Sequence, residues 1–264
     1  MVVALEHIRR MRGGSQAHLM RCSDGHYYVV KFQNNPQGLR ILANEMLGMS
    51  LASRLDLRVP GGEIVSVSEE LVGHCKDLSV QLGRGRQRCH AGLQFGSRYP
   101  ARYKETPVFD VLPTEQLGYV SNLSDFLGML VFDKWTCNTD GRQAIFICER
   151  ETLQYSAYMI DNGFCFNAIE WTFPDAPLRG LYSHREVYES VRGMKSFASW
   201  IERVERINES VLEDIYSAIP PEWYGQDFGA IEKMLARLLL RRRLVPELIV
   251  SSWKCSAQPF PNWT

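Results

Sequence analysis

The chain has 264 residues, of which 45% are hydrophobic and 23% charged, and its 30 basic and 30 acidic side chains leave no net charge. This composition is typical of a globular protein with a substantial core, and the zero net charge argues against a dedicated nucleic-acid or anionic-membrane binder. The N-terminal apolar run is too short for a signal peptide and no window approaches the ~18 apolar residues of a membrane span, so we expect a cytoplasmic protein without a membrane partner.

The cysteines favour reduced thiols over a cross-linked scaffold. The sequence has seven of them and no Cys-x-x-Cys pair, and an odd number favours free thiols in a reducing compartment. His74-Cys75 and Cys89-His90 form a mirror-image set of metal-ligand residue types. Because ligands adjacent in sequence fit a tetrahedral site poorly, we predict no zinc site there.

The first predicted elements are strands around a single lysine. The segments "AHLMRC" and "HYYVVKF", separated by Asp24-Gly25, predict an antiparallel hairpin with a type I′ turn. Lys31 stands among strand-forming residues, so its ammonium group must reach a partner or solvent. The preceding Gly13-Gly14-Ser15-Gln16 is predicted to form a tight bend.

A helix and another strand follow. The stretch "LRILANEMLGMSLASRL" predicts a helix because its leucines recur at fourfold spacing and no proline occurs before Pro60. Glu45 shares a face of this helix with Gly48 and Ala52, whose small side chains would let a partner approach its carboxylate. The segment "VPGGEIVSVS" then returns to strand.

From about residue 120 the pattern becomes helical. An apolar helix "LSDFLGMLVF" is predicted to end at Asp133. Amphipathic helices are predicted later for "HREVYESV", "SFASWIERVERI" and "GAIEKMLARLLLRRRL", which would pack on one another. The final stretch "SSWKCSAQPFPNWT" has no periodicity.

The most informative stretch lies between these helices. Asn138 follows Asp133 by five residues, a hairpin is predicted with its turn at Glu149–Gln154, and Asp161 follows the second strand. Folding the hairpin back brings its ends together, so the three oxygen-bearing side chains are predicted to converge. Oxygens of this kind suit Mg²⁺. In phosphoryl transfer one Asp orients the acceptor hydroxyl, while an Asn and another Asp hold the metal.

The order of these residues favours a kinase over an ordinary turn. Asp161-Asn162-Gly163 alone would be interpreted as a turn. However, Lys31 on a strand and Glu45 on the next helix precede it, and in kinases such a lysine contacts the α- and β-phosphates and pairs with the helix glutamate. We therefore predict that Lys31 holds nucleotide and that Glu45 holds Lys31.

The predicted fold class is α+β. It is a two-lobed, protein-kinase-like fold whose N-lobe is an antiparallel sheet with one helix and whose C-lobe is mostly helical. The predicted boundaries are 1–112 for the N-lobe, 113–250 for the C-lobe and 251–264 for a C-terminal tail.

Three stretches, "GGSQAHLMRC…YYVVKF", "NEMLGMSLASRLDLRVP" and "DKWTCNTDGRQAIF…MIDNG", resemble the HipA-like kinases. That family combines a glycine-rich phosphate loop, a strand lysine, an Asn-Glu-opened helix ending in Leu-x-Val-Pro, and Asp-x₄-Asn followed by a metal-binding Asp. The resemblance spans roughly residues 8–165, and the Asn-Glu helix is its most specific part. It implies nucleotide contacts by Gly13, Gly14, Ser15, Gln16, Lys31 and Glu45, a catalytic Asp133, and magnesium ligation by Asn138 and Asp161.

The sequence also departs from this family. Full-length HipA toxins carry an additional N-terminal subdomain that this sequence does not match, so the resemblance does not imply a toxin–antitoxin role. Related kinases place an autophosphorylated serine just before the glycines, whereas here Arg12 precedes Gly13. Regulation by autophosphorylation of this loop is therefore left open.

A basic stretch permits two interpretations. No acidic residue occurs between Asp77 and Glu105, while arginines accumulate in "GRGRQRCHAGLQFGSRYP". One interpretation is a local site for a nucleic acid or an acidic protein. The other, which zero net charge favours, is a flexible solvated insertion near the lobe junction.

The function predicted from the sequence is an ATP- and Mg²⁺-dependent phosphotransferase of the HipA-like type, acting on Ser or Thr of an unidentified protein. The alternatives are a small-molecule or lipid kinase, because an Asp-x₄-Asn with a following Asp also occurs there, and a catalytically silent nucleotide-binding module that regulates a partner. The sequence makes no prediction about oligomeric state.

Overall fold

The computed structural model describes residues 1–149 and 154–264, so the interior of the turn predicted at Glu149–Gln154 lies outside the described residues. The strands are β1 (Val2–Arg10), β2 (His18–Cys22), β3 (Tyr27–Lys31), β4 (Gly62–Val67), β5 (Ser79–Leu82), β6 (Gly85–Arg88), β7 (Gly92–Arg98), β8 (Val108–Phe109), β9 (Gln143–Glu149) and β10 (Gln154–Ile160). The α-helices are α1 (Ile41–Arg54), α2 (Glu69–His74), α3 (Asp125–Thr136), α4 (Ala198–Arg206), α5 (Glu209–Ser217), α6 (Phe228–Arg241) and α7 (Val245–Lys254).

The N-lobe is a closed barrel rather than an open sheet. Its strands follow the order β1-β2-β3-β7-β4, and the barrel closes where β1 pairs in parallel with β4. The prediction of an antiparallel sheet with one helix is therefore wrong in two details, since one pairing is parallel and the short helix α2 accompanies α1. Met20, Val30, Phe32 and Val65 pack inside the barrel.

The β2–β3 hairpin sets the direction in which Lys31 points. Tyr28 and Val30 are buried in the barrel, whereas Tyr27 and Val29 on the opposite face are half-exposed. Because side chains alternate along a strand, Lys31 shares the face of Tyr27 and Val29 and points out of the barrel towards the C-lobe. The connecting turn differs from the predicted type I′, since Gly25 has positive φ but Asp24 does not.

Helix α1 is present where the sequence predicts it, and it is enclosed on almost every side. Among its buried residues are two polar ones, Asn44 at 0% and Glu45 at 1% exposure. Buried polar groups are costly unless they are hydrogen-bonded, so both need partners from neighbouring segments. The same holds for α3, whose buried residues include Asp133 and Lys134.

The C-lobe forms the larger core. Trp135, Phe132, Trp200 and Leu238 belong to one buried cluster that also includes residues of α1. The helix predicted for "HREVYESV" is only a short 3₁₀ turn, Arg185–Tyr188. Helix α7 ends at Lys254, four residues into the segment assigned to the tail.

Two histidines and two cysteines meet beside the barrel. His7 Nε2 lies 3.0 Å from His18 Nδ1, Cys75 Sγ lies 3.4 Å from His7 Nδ1, and Cys89 Sγ lies 3.8 Å from His18 Nε2. Each imidazole thus contacts a different neighbour with each of its two nitrogens. The four side chains form a linear series of contacts and do not surround a common point as metal ligands would. In the described parts of the sequence no group of three or more His, Cys, Asp and Glu residues is arranged to hold a metal ion.

Within residues 1–149 and 154–264, no helix combines the length and apolar character required to cross a membrane.

Close packing in the C-lobe gives a test of the structure. A Cβ added at Gly128 in α3 would lie 2.5 Å from the ring of Trp200, whereas a Cβ at Gly229 in α6 would meet no atom within 4 Å. Gly128→Ala should lower the free energy of unfolding by about 1–3 kcal/mol, because overpacking outweighs the gain in helix propensity. Gly229→Ala should raise it by up to about 1 kcal/mol. Urea unfolding measures both, and equal effects would contradict the packing described.

Candidate active site

Three predicted residues meet in the cleft between the lobes. The Lys31 ammonium group donates to Glu45 Oε1 and, at 2.9 Å, to Asp161 Oδ1. The second oxygen of Glu45 accepts the backbone N–H of Asn162 at 3.0 Å. Strand β3, helix α1 and the segment after β10 are thereby joined at one point. Glu45 is enclosed, whereas the Asp161 side chain is 23% exposed and faces the opening.

The electrostatics of this group keep Lys31 charged. Burial disfavours the ammonium form, but the carboxylates of Glu45 and Asp161 outweigh it and raise the pKa of Lys31. Burial raises the pKa of Glu45, against the effect of Lys31. For Asp161 burial acts in the same direction, but Lys31 dominates and lowers its pKa. The cleft therefore presents a fixed cation beside an ionised, accessible carboxylate.

Asp133 is not accessible in the way its predicted role requires. Its Oδ2 accepts Arg142 Nε at 2.8 Å, and its Oδ1 accepts both Arg142 Nη2 and Asn138 Nδ2. Asp133 is 1% exposed, and a Cβ added at Gly180 would lie 2.3 Å from its own Cβ. Arg142 and Asn138 therefore occupy both oxygens of the carboxylate. The observed role of Asp133 is to hold the guanidinium group of Arg142.

Asn138 is also used internally. Its Nδ2 donates to Asp133, its Oδ1 accepts the backbone N–H of Asp140 at 3.2 Å, and the residue is 0% exposed. Both ends of the carboxamide are thus occupied, the nitrogen by Asp133 of α3 and the oxygen by the loop that follows the helix. The geometry gives Asn138 the role of a turn-stabilising residue, and it does not present an oxygen to the cleft as the predicted metal ligation requires.

A carboxylate that the sequence analysis did not select, Asp140, is exposed at the same end of the hairpin. Next to it, Thr139 donates its backbone N–H to Phe164 O at 3.1 Å. On its other side, Arg142 Nη1 donates to Ile160 O at 2.7 Å and Asp161 O at 3.4 Å. Asp140 is therefore flanked on both sides by contacts to the segment that carries Asp161.

One signal in the sequence would have separated the two aspartates. Asp133 lies inside the apolar run "FLGMLVFDKWT", and α3 continues to Thr136 instead of ending at Asp133. Asp140 lies in the polar "NTDG" loop after the helix ends. Loops carry functional side chains more often than buried helix interiors do, so helix length discriminates where the spacing does not.

The glycine-rich bend follows β1 and precedes β2 of the barrel. Gly13 has a φ of +117°, and Gly13 and Gly14 are exposed, so backbone N–H groups are accessible there. Ser15 O accepts Asn35 Nδ2 at 3.5 Å. The Gln16 side chain, however, is paired with the backbone of Gln81 rather than directed at the cleft.

Asn44 fixes the segment after Asp161, and the sequence analysis did not assign it a role. Its Nδ2 donates to the carbonyl oxygens of Gly163 at 2.9 Å and Ala168 at 2.8 Å, and its Oδ1 accepts Trp171 Nε1 at 2.8 Å. Asn44 and Glu45 therefore act as a pair from one turn of α1. The pair holds the loop around Asp161 in place without any added group.

The donor chemistry of the cleft fits a hard divalent cation such as Mg²⁺. Asp161 offers a partly exposed carboxylate, and Asp140 lies at the same end of the hairpin. Mg²⁺ is commonly bound by one or two carboxylates, with phosphates and water completing its octahedron. Asp161, whose carboxylate is partly exposed, is the residue that could hold such an ion.

Solved structures similar to this chain include kinases. The proinflammatory kinase CtkA of Helicobacter pylori has a TM-score of 0.58 at 13% identity and covers 95% of this chain and 96% of its own. The Golgi casein kinase has a TM-score of 0.54 at 11% identity, over 96% of this chain and 74% of that chain. Hydra Fam20 has a TM-score of 0.51 at 12% identity, over 96% and 86%. At this level of identity the similarity shows a kinase-like fold and nothing further.

Family membership comes from the sequence itself. No curated protein matches the chain. A sequence model of the HipA-like kinases matches residues 5–242, which is most of its length and includes Lys31, Glu45, Asp140 and Asp161. The chain therefore belongs to the HipA-like kinase family and is a kinase.

Proposed function

We propose that this kinase is an ATP- and Mg²⁺-dependent phosphotransferase whose acceptor is a Ser or Thr hydroxyl of a protein. The observation that carries the proposal is the position of Lys31 between Glu45 and Asp161, with Asp140 exposed at the same end of the hairpin. A buried cation, an accessible carboxylate and a second exposed carboxylate are the groups that phosphoryl transfer requires.

Nucleotide binding is assigned to the N-lobe side of the cleft. Lys31 contacts the α- and β-phosphates, and Glu45 keeps its ammonium group in place. The half-exposed Tyr27 and Val29 lie on the same face of β3 as Lys31 and offer apolar surface to the base. Backbone N–H groups of the bend at Gly13 and Gly14 cover the phosphates.

The transfer step is assigned to the end of the hairpin. Asp140 accepts the proton of the acceptor hydroxyl, and Asp161 is the residue that would hold Mg²⁺. Mg²⁺ bound there would neutralise negative charge on the phosphates. Arg142 donates hydrogen bonds to Asp133 and to the carbonyl oxygens of Ile160 and Asp161. It thereby holds the loop that carries Asp140 next to the segment that carries Asp161.

Two observations support a protein acceptor. One structurally similar kinase, the Golgi casein kinase, is named for a protein substrate. In this chain an exposed, arginine-containing hairpin, β5–β6, lies beside the glycine-rich bend. No feature of the cleft favours a lipid or a small-molecule acceptor, and a silent regulatory module would not require the exposed carboxylate of Asp140.

Mg-ATP should stabilise the folded protein. At a hundredfold excess over Kd, nucleotide raises the free energy of unfolding by about 2.7 kcal/mol, because it binds the native state and not the unfolded chain. The melting temperature with ATP should rise when Mg²⁺ is present and rise less with EDTA. Asp161→Asn should reduce the shift, since it removes the carboxylate assigned to the metal. A wild-type melting temperature that saturating Mg-ATP leaves unchanged would refute the proposal.

A further inference from the structure

The basic stretch folds into a defined hairpin. Strands β5 and β6 pair from Ser79↔Arg88 to Leu82↔Gly85, with Gly83 and Arg84 at the tip. Arg88 Nη1 fixes the base by donating to Val72 O at 3.0 Å and Cys75 O at 2.7 Å. The interpretation as a flexible insertion is thereby weakened, because the segment has both a paired ladder and an anchored base.

A long-range contact attaches this hairpin to the glycine-rich bend. Gln16 Nε2 donates to Gln81 O at 2.9 Å, and Gln81 N donates to Gln16 Oε1 at 2.7 Å. The guanidinium group of Arg10 donates to the same Gln16 oxygen. The side chain of Gln16 thus pairs with β5 as a neighbouring strand would. Whatever binds the hairpin lies next to the bend assigned to the phosphates.

Unbalanced positive charge collects where these segments meet. We call the five exposed residues Arg10, Arg12, Lys76, Arg84 and Arg86 the basic surface. In the part of the chain that the structure describes, Asp77 is the only carboxylate in an ion pair with any of them, at 3.8 Å from Arg86 with both side chains exposed. Exposed pairs of this kind contribute little, so the surface keeps an excess of cations.

We infer that the basic surface binds an acidic segment of the polypeptide acceptor and holds it beside the glycine-rich bend. The inference rests on the proposed function and adds the chemical class of its substrate. Guanidinium groups bind carboxylates through paired hydrogen bonds, and three of the five cations are arginines on the bend or the hairpin, namely Arg12, Arg84 and Arg86. The partner is polypeptide and not nucleic acid, because residues 79–88 contain no aromatic side chain on which bases could stack.

Peptide binding without nucleotide tests this inference separately from the kinase activity. The probe is a fluorescein-labelled polyglutamate peptide, compared by anisotropy with a glycine-serine peptide and a single-stranded oligothymidylate of equal length. Wild-type protein should bind polyglutamate more tightly than both, with an affinity that falls as salt rises. No preference over the glycine-serine peptide at low salt would overturn the inference, and tighter binding of the oligothymidylate would overturn the assignment to polypeptide.

Matched variants locate the binding site. Arg84→Gln with Arg86→Gln should weaken polyglutamate binding about tenfold, whereas Arg206→Gln with Arg243→Gln removes the same charge elsewhere and should change it less than about twofold. Equal losses in the two double variants would show a general charge effect and refute the site. All four substitutions lie on exposed side chains, and equal melting temperatures check folding. The Mg-ATP shift of the Arg84/Arg86 variant reports separately on the nucleotide site.

Discussion

Asp140→Asn should reduce phosphoryl transfer by a factor of about 10²–10⁴ while the Mg-ATP-induced rise in melting temperature stays close to that of wild type. Asparagine keeps the size of the side chain but cannot accept a proton. Asp140 is exposed and assigned to the acceptor hydroxyl, so its charge contributes to the reaction more than to nucleotide binding. Steady-state ADP release measures the loss of transfer, and thermal melting of the same preparation measures the nucleotide-induced stabilisation.

Asp161→Asn is the control variant with which Asp140→Asn is compared. Asp161 contacts Lys31 and is assigned to the metal, so its loss should lower both the rate and the nucleotide-induced stabilisation. The two variants should therefore differ in binding though both turn over slowly. An Asp140→Asn protein as active as wild type would contradict the role assigned to that residue. A silent regulatory module would bind Mg-ATP and give no turnover even as wild type.

Asp133→Ala should lower the free energy of unfolding by about 3–5 kcal/mol, measured by urea unfolding. The substitution leaves the buried guanidinium group of Arg142 without its carboxylate, and an uncompensated buried charge is the costly outcome. Both side chains are 0% exposed, so water cannot replace the lost partner. This is the largest stability effect that the structure predicts for a single substitution at the site.

Two further variants test whether the loss of stability comes from the buried Asp133–Arg142 ion pair or from losing any carboxylate. Glu202→Ala removes the partner of Arg206 in an exposed pair on α4 and should cost less than about 1 kcal/mol. Asp133→Ala combined with Arg142→Met removes both charges and should recover part of the lost stability. If Asp133→Ala costs no more than Glu202→Ala, the buried pair is not the structural element described here.

Part of the site, Lys31 and Glu45, could be predicted from the sequence alone. A lysine on a short apolar strand and a glutamate on the next helix were selected because strands and helices fix which way side chains point. The structure brings Lys31, Glu45 and Asp161 together. The roles assigned to these three residues remain predictions, of which Asp161→Asn tests the one assigned to Asp161.

The roles of Asp133 and Asn138 depended on spacing, and spacing does not report burial. An Asp-x₄-Asn pattern has the same form inside a helix as in a loop. Here α3 runs three residues past Asp133, which places that carboxylate in the core beside Arg142. A buried arginine at position 142 is compatible with the fold only because this carboxylate is present.

The contact between Gln16 and the β5–β6 hairpin could not be predicted from the sequence, and the reason differs. It joins residues 65 positions apart through one side chain and one backbone unit, and neither has a distinctive local pattern. The local excess of arginine is visible in the sequence, but zero net charge for the whole chain favoured interpreting it as a solvated insertion. Long-range placement, not composition, makes this stretch a candidate binding surface.

The central claim is that the cleft of Lys31, Asp140 and Asp161 transfers the γ-phosphate of ATP to a protein hydroxyl. The most direct test is incubation of wild-type and Asp140→Asn protein with Mg²⁺, γ-labelled ATP and cell extract, followed by phosphoamino-acid analysis and mass spectrometry of labelled protein. The account predicts label on Ser or Thr with wild type, and a loss of about 10²-fold or more with the variant. Equal labelling by the two proteins, or no release of γ-phosphate by wild type at saturating Mg-ATP, would contradict it.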